Sequence, residues 1–318
     1  MSQTTTPNQP QLLHESRVTE SQIDSLGHMN VRFYVERASA ANQALLNKLG
    51  ITPGNNQKIR RTDTFNRFHR EQFEGATLRT FGGLVATENR DGVTGYYEIR
   101  NEESGDVAAT FIMSSQLLDT TTEQLLPLKL DEQEVAAWTV EVPEYGRPRS
   151  LTLNEPRRPS FEEIEPLIPD DELLGGLSGR REGIVLEEDC DETGHLAEGT
   201  DLVHVIWRPQ PGEELRKVGP PHLRDQQGRL YSWAMMEIRS IVYQRPRAGD
   251  TIVSLSTDVN YGEKWRHSRR WVFSKDTRQL LGISDQTGIC MDLEARRAIN
   301  IPDEVRPLIE KHCLRDLA

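Results

Sequence analysis

The feature that most constrains this chain is a motif that occurs twice. The segment DSLGH at 24–28 recurs as DETGH at 191–195, which is 167 positions later (191 − 24). A second pair, Asp119 and Asp292, ends a β-rich run in each half, and its members are 173 apart (292 − 119). Two spacings this close indicate an internal repeat of domain size, with a few residues inserted between motif and sheet. The 318 residues are enough for two such domains.

The segment after the first motif predicts a long helix. Apolar residues recur at helical spacing from Val31 to Leu49, and Gly50 suits the position that follows a helix end. Turn signals with Asp-Gly or Ser-Gly between β-rich runs then favour antiparallel hairpins. The expected strands lie at 16–21, 62–70, 77–87, 93–101 and 107–118 in the first half and at 183–188, 230–244, 252–260, 267–274 and 280–290 in the second. Each half is therefore expected to be an α+β domain.

The domain boundaries follow from changes in composition. A polar stretch at 1–11 predicts a disordered tail, and 12–142 forms the first domain. Residues 143–180 are rich in proline and mark a connector, in which Ser160 and Glu163 form a capping-box pattern that predicts a short helix. The second domain is expected at 181–318.

Composition excludes several kinds of function. The net charge of −12 argues against nucleic-acid binding, and no apolar run approaches the length that spans a membrane. Cys190, Cys290 and Cys313 are odd in number and have no C-x-x-C spacing, so they indicate a reducing, cytoplasmic location and neither disulfides nor zinc. No metal, nucleotide or dinucleotide motif occurs, and no metal or cofactor is expected.

The first motif and its context resemble a known family. The segment D-x-x-G-H-M-N, with a downstream aromatic residue and Glu-Arg-Ala, resembles the start of a hotdog-fold acyl thioesterase. Such enzymes hydrolyse acyl-CoA or acyl-carrier-protein thioesters without a metal. The resemblance implies two tandem hotdog domains, each an antiparallel sheet wrapped around a central helix, that form an internal pseudo-dimer. It also implies that the fused chain pairs again as a homodimer.

The same resemblance suggests roles for residues at the first motif. Asp24 is the candidate nucleophile or general base, since a carboxylate can attack a thioester or activate water. The backbone amides of Asn30 and Val31 at the helix start would stabilise the oxyanion, and the Asn30 side chain would fix a water or the carbonyl. Another branch of the family uses a glutamate on the helix, for which Glu36 is the nearby match.

Each candidate also has a structural interpretation. Asp24 could cap the turn before the helix, and His28 could hold the loop by hydrogen bonds instead of taking part in catalysis. Tyr34 could contact the substrate or belong to the core, and Glu36 could be a solvated helix residue. Cys190 beside the second motif is interpreted as a buried strand cysteine, because no base partner can be named for it.

The two motifs differ in detail. Asp191 and His195 form a possible second site, but Leu196 and Ala197 follow them where the first motif has Met29 and Asn30. The prolines at 209 and 211 would also interrupt a long helix. We therefore expect the first motif to be the functional one and the second to be a structural relic.

Two other functions stay open at this point. A hotdog enoyl-CoA hydratase or dehydratase would use a histidine with a carboxylate, as Asp24 and His28 could provide. A non-catalytic acyl-CoA-binding protein would need no such pair. Release of free thiol from an acyl-CoA separates thioester hydrolysis from both.

Overall fold

The computed structural model describes residues 8–24, 26–86, 92–128, 130–169, 178–207 and 223–317. The chain divides into two compact units, Met1–Pro148 and Arg149–Ala318. Of the predicted tail, residues 1–7 lie outside the described residues, whereas Asn8 is paired with Val140. Of the predicted connector, 170–177 lies outside them. Among the described residues, no helix has the length and apolar character needed to cross a membrane.

The first unit is an antiparallel sheet with one long helix. Its five main strands are β1 Gln11–Arg17, β2 Gln57–Phe68, β3 Thr77–Val85, β4 Val93–Asn101 and β5 Val107–Asp119. They are ordered β1-β3-β4-β5-β2, and all neighbours are antiparallel. Two short strands, β6 Leu125–Leu126 and β7 Thr139–Val140, pair with β5 and β3 respectively. The helices are α1 Val31–Lys48 and α2 Glu132–Trp138.

Helix α1 forms where the apolar spacing predicts it. Asn30 caps its start by accepting a hydrogen bond from the Arg32 N–H at 3.1 Å, and Gly50 follows its end with φ +71°. Its buried face carries Ala38 and Ala41, which are fully buried and small enough to let the helix lie close to the sheet. Burial of this face on the sheet is what stabilises an 18-residue helix of modest intrinsic propensity.

One polar contact joins α1 to the sheet inside the apolar core. The Tyr97 hydroxyl donates to Asn42 Oδ1 at 2.7 Å, and Asn42 Nδ2 donates to the Ser115 hydroxyl at 3.2 Å. All three side chains are buried, so each needs these bonds to offset the loss of water. The contact therefore fixes the rotation of α1 against β4 and β5.

The second unit repeats the plan of the first. Its strands are β8 Gly179–Ile184, β9 Leu223–Arg224, β10 Leu230–Val242, β11 Thr251–Tyr261, β12 Trp265–Ser274, β13 Leu280–Asp292 and β14 Arg297–Ala298. The main order, β8-β11-β12-β13-β10, matches β1-β3-β4-β5-β2 strand for strand. Its helices are α3 Phe161–Ile164, α4 Leu202–Trp207 and α5 Arg306–His312. The predicted internal repeat is confirmed at the level of topology.

Matching details support the repeat. Asp119 accepts hydrogen bonds from two backbone amides of the turn after β5, and Asp292 does the same after β13. The helices differ, because α1 has 18 residues and α4 has six. The prolines predicted to interrupt the second helix, at 209 and 211, lie outside the described residues.

The strands predicted at 16–21 and 183–188 are wrong by about the same shift in both units. The observed strands end at Arg17 and Ile184, and short 3₁₀ helices follow at Glu20–Gln22 and Glu187–Asp189. The reason is tertiary pairing, since β1 lies along β3 and β8 along β11, and this pairing ends before the motif turn begins.

The segment that opens the second unit is held by two buried side chains of β10. The Glu237 carboxylate accepts hydrogen bonds from the amides of Arg149, Ser150 and Leu151 at 2.8–3.0 Å. Arg239 donates to the carbonyls of residues 152 and 154. Further along, the predicted capping box at α3 is present.

We expect Tyr97→Phe to destabilise the first unit by about 1–3 kcal/mol, because it leaves the buried Asn42 Oδ1 without its donor. Urea-induced unfolding would measure the change. Tyr261→Phe, at a half-buried tyrosine of the second unit, is the control and should cost much less. Equal effects of the two substitutions would contradict a role for the buried contact.

Candidate functional site

The first motif folds into a closed turn immediately before α1. The Asp24 N–H donates to the His28 carbonyl, and the Gly27 N–H donates back to the Asp24 carbonyl, both at 3.0 Å. Gly27 has φ +80°, a conformation that glycine adopts without a steric penalty. Asp24 Oδ1 accepts from the Leu26 N–H at 2.9 Å. The turn therefore presents both Asp24 and His28 beside the helix start.

The structure brings three predicted side chains together. Asp24 Oδ2 lies 3.6 Å from His28 Nδ1 and accepts a 3.4 Å hydrogen bond from Asn30 Nδ2. The side chains of Asp24 and His28 are 13% and 14% exposed, so they are largely desolvated but still reachable. Partial burial strengthens each of these electrostatic contacts. Asp24 is thus a carboxylate held by an amide on one side and an imidazole on the other.

A fourth residue of this group, Glu71, was missed by sequence reasoning. Its Oε1 lies 3.5 Å from His28 Nε2, so the imidazole stands between two carboxylates. Glu71 lies in the loop after β2, and the Met29 N–H donates to the Gln72 carbonyl of that loop at 2.7 Å. No local motif marks Glu71. The internal repeat could have pointed to this loop, because the residues before β3 correspond to those before β11, and each of the two loops accepts a hydrogen bond from the motif of its own unit.

The amides at the start of α1 correct one expectation. The Asn30 N–H is engaged, since it donates to the Gln22 carbonyl at 2.9 Å, and the Arg32 N–H is engaged by the Asn30 side chain. Asn30 therefore contributes its side chain and not its amide. The Val31 N–H makes no hydrogen bond within the described part of the chain, and it lies at the positive end of the helix dipole.

Tyr34 and Glu36 occupy different environments on α1. Tyr34 is buried, its hydroxyl donates to the Arg70 carbonyl at 3.3 Å, and burial raises its pKa well above the ordinary value. It ties the helix to the loop that carries Glu71. Glu36 is exposed, and partial desolvation raises its pKa. No hydrogen bond or ion pair between described residues joins Glu36 to Asp24 or His28.

The second motif has the same backbone but different side-chain contacts. The Asp191 N–H donates to the His195 carbonyl at 2.8 Å, and Gly194 has φ +77°. Here Thr193 stands between the two side chains: its hydroxyl donates to Asp191 Oδ1 at 2.6 Å and lies 3.0 Å from His195 Nδ1. Ala197 replaces the asparagine and has no side-chain amide. The motif is preserved as a turn, while the asparagine that bonds Asp24 has no counterpart at Ala197.

Cys190 lies in an environment that disfavours its thiolate. Burial raises the pKa of the thiol, and the carboxylates of Asp189, Asp191 and Glu187 raise it further. Its Sγ donates to the Leu186 carbonyl at 3.4 Å. A nucleophilic cysteine requires the opposite shift. Within the described ranges, no group of three or more His, Cys, Asp and Glu side chains is arranged as a metal site.

Comparison with known proteins shows the fold. No protein-family model matches the sequence, and a search of curated proteins finds no significant match. A structure described as an acyl-ACP thioesterase from Bacteroides thetaiotaomicron superposes with a TM-score of 0.58 at 10% identity, over 87% of this chain and 96% of that one. The 12:0-ACP thioesterase from Umbellularia californica gives 0.61 at 12% identity, over 87% and 93%. These likenesses confirm the predicted tandem hotdog domains.

We expect Cys190 to react slowly with iodoacetamide at neutral pH and faster only as the pH rises beyond about 9, the ordinary pKa of a thiol. Mass spectrometry of the native protein across pH would measure its labelling rate. Cys290 is the internal control, because it is fully buried and burial raises its pKa to about 12, so it should label more slowly still. Rapid labelling of Cys190 at pH 7 would show that its thiol is reactive and would make it a candidate nucleophile again.

Proposed function

We propose that this protein is a thioester hydrolase that converts an acyl-CoA or acyl-carrier-protein thioester to the free acid and thiol. The observation that carries the proposal is the Asp24 carboxylate, which is held by Asn30 and His28 beside the Val31 amide at the start of α1. The fold is one that acyl-ACP thioesterases also have, which supports the proposal without establishing the substrate.

The proposed chemistry has two possible first steps. As a general base, Asp24 takes a proton from a water that attacks the thioester carbon. As a nucleophile, it attacks that carbon itself and forms an anhydride that water then opens. In both routes the Val31 N–H stabilises the negative oxygen of the tetrahedral intermediate. Collapse of the intermediate breaks the C–S bond, and the leaving thiolate takes up a proton.

His28 and Glu71 are proposed to position Asp24. The imidazole lies between the two carboxylates at 3.6 and 3.5 Å, so it holds Asp24 in place while Glu71 fixes the ring from the other side. Tyr34 supports this by anchoring the loop that carries Glu71. The group thus extends from the helix start to the loop after β2.

A hydratase or dehydratase is the second candidate, favoured by the direct neighbourhood of His28 and Asp24. Such an enzyme would move a proton alpha to the thioester and leave the C–S bond intact. Assaying free thiol and hydrated product on the same substrates separates the two reactions. The acyl group, the choice between CoA and carrier protein, the homodimer and the cytoplasmic location stay predictions.

We predict that Asp24→Asn lowers thioester turnover by about 10²–10⁴-fold, the usual contribution of a positioned acid or base. The amide keeps the volume and an oxygen for the Leu26 N–H, so the fold should survive. Thiol release across short, long, aromatic and polar acyl-CoA esters would measure it. Asp191→Asn is the matched control, since the same backbone turn surrounds it. Equal turnover by wild type and Asp24→Asn would show that Asp24 is not the catalytic carboxylate. Loss of activity in Asp191→Asn alone would assign the active site to the second motif.

Glu71→Gln should lower kcat by about tenfold, the value of one charged contact, and leave KM nearly unchanged. The reason is that Glu71 acts through His28 and not on the substrate. Glu74→Gln, in the same loop and exposed, is the control and should behave like wild type. A change in KM alone would show that Glu71 binds substrate instead of positioning the imidazole.

A further inference from the structure

The second unit contains a row of polar residues where a core is expected. On the face of its sheet that packs against α4, Ser256 lies opposite Arg270, Arg270 opposite Ser284, and Ser284 opposite Ser240. All four are buried, and Arg270 is only 2% exposed. Val272, two residues along β12 on the same face, packs with apolar residues of α4. The row therefore interrupts an otherwise apolar helix–sheet interface.

The first unit provides an internal comparison. The equivalent row, reached by the same offset of 173, has Tyr97 in place of Arg270 and Phe111 in place of Ser284. Phe111 is fully buried in the core, and the Tyr97 hydroxyl is bonded to α1. The second unit has thus exchanged two aromatic core residues for a cation and a hydroxyl. A packing requirement alone does not favour this exchange, because a buried charge is costly.

No residue that the structure describes is paired with Arg270 to offset its charge. Its Nε is buried without a hydrogen bond, and no carboxylate among the described residues lies within ion-pair distance of its guanidinium. Burial, together with the positive charges of Arg181 and Arg266, lowers its pKa to about 10 against a weaker opposite effect of Asp201. Within the described ranges, the positive charge of Arg270 is therefore uncompensated.

Arg266, four residues earlier on the same face, shows what a structural arginine looks like here. Its Nε donates to Asp258 Oδ1 at 2.7 Å, and its Nη2 donates to the Ser178 hydroxyl at 2.7 Å. This is the paired arrangement that makes a buried charge tolerable. Each arginine also lies beside an indole, since the guanidinium carbon of Arg266 is 5.3 Å from the centre of the Trp233 ring and that of Arg270 is 5.6 Å from the centre of the Trp207 ring. Among the described residues, Arg270 has only this ring contact, without the paired oxygens of Arg266. The face of an aromatic ring attracts a cation electrostatically. It does not replace the hydrogen bonds that an oxygen would accept from the guanidinium N–H groups.

We propose that Arg270, with Ser284 and Ser240, forms a binding site for a small monocarboxylate inside the second unit. A carboxylate presents two oxygens in the plane of a guanidinium and accepts two parallel hydrogen bonds from it. The hydroxyls of Ser284 and Ser240 make no hydrogen bond within the described part of the chain, so they are available as further donors. The Ser256 hydroxyl is engaged, since it donates to the Gly179 carbonyl at 3.2 Å.

The shape and charge of a carboxylate suit this arginine. Both carboxylate oxygens can bond the planar guanidinium, whereas a phosphate dianion brings a second negative charge that must also be desolvated. Trp207, the last residue of α4, lies beside the guanidinium of Arg270. Binding should therefore change the environment of Trp207 as well as that of Arg270.

The test is calorimetric titration of the whole chain with sodium butyrate. Butyramide, which has the same shape and no charge, and inorganic phosphate are the comparison ligands. We expect saturable binding of butyrate alone. Arg270→Met should weaken it by about 10- to 150-fold, the range of a charged hydrogen bond. Arg306→Gln, at the start of α5 in the same unit, is the matched control and should bind like wild type.

The unliganded variants give a second readout. Replacing an uncompensated buried charge by an apolar side chain should raise the melting temperature, whereas removing a structural arginine should lower it. Ser284→Ala is a smaller change and should weaken butyrate binding several-fold. It replaces Arg270→Met as the test variant if Arg270→Met does not fold. Absence of butyrate binding, preference for phosphate, a lowered melting temperature of Arg270→Met, or binding that survives this substitution would each overturn the proposal. The last result would place butyrate elsewhere, such as at Asp24.

Discussion

The arrangement at the candidate site depends on one backbone hydrogen bond. The Met29 N–H donates to the Gln72 carbonyl at 2.7 Å and so joins the turn before α1 to the loop after β2. It brings the Asp24 turn next to the loop that carries Glu71, and the Tyr34 hydroxyl, bonded to the Arg70 carbonyl, supports the same contact. The second unit keeps the equivalent bond, from the Leu196 N–H to the Pro246 carbonyl at 2.9 Å. The bond is thus a property of the repeated architecture, to which the first unit adds the side chains of Asp24, His28 and Glu71.

The two units share one strand order but differ in helix length and in the side chains between helix and sheet. In the first, an 18-residue helix lies on the sheet, and aromatic residues fill the space beneath it. In the second, α4 has six residues, and the sheet beneath it bears serines and the unpaired Arg270. Strand order and turn geometry have been kept in both, because they depend on backbone pairing. The side chains facing the helix differ, because their requirements are set by what covers them.

Sequence reasoning was successful where the signal is local or repeated. The helix and β4, at Val93–Asn101, have the predicted positions because apolar periodicity and flanking turns define them. Strand β2 begins five residues earlier than expected, at Gln57, since its polar first residues are held in the sheet only by pairing with β5. The contact of His28 with Glu71 joins residues far apart in the chain, and nothing in either segment alone predicts it. The hydrogen bond from the Asn30 N–H to the Gln22 carbonyl likewise depends on a 3₁₀ turn that no sequence signal predicts.

The hydrogen bonds between Glu237 and the backbone at the start of the second unit have an evolutionary consequence. The carboxylate accepts hydrogen bonds from the backbone amides of residues 149 and 150. These bonds do not involve the side chains of the two residues, which are exposed. Substitutions there can accumulate freely as long as an N–H remains, so proline is the one residue type that selection must reject. Related chains should therefore vary widely at these two positions while retaining an acidic residue at the position of Glu237.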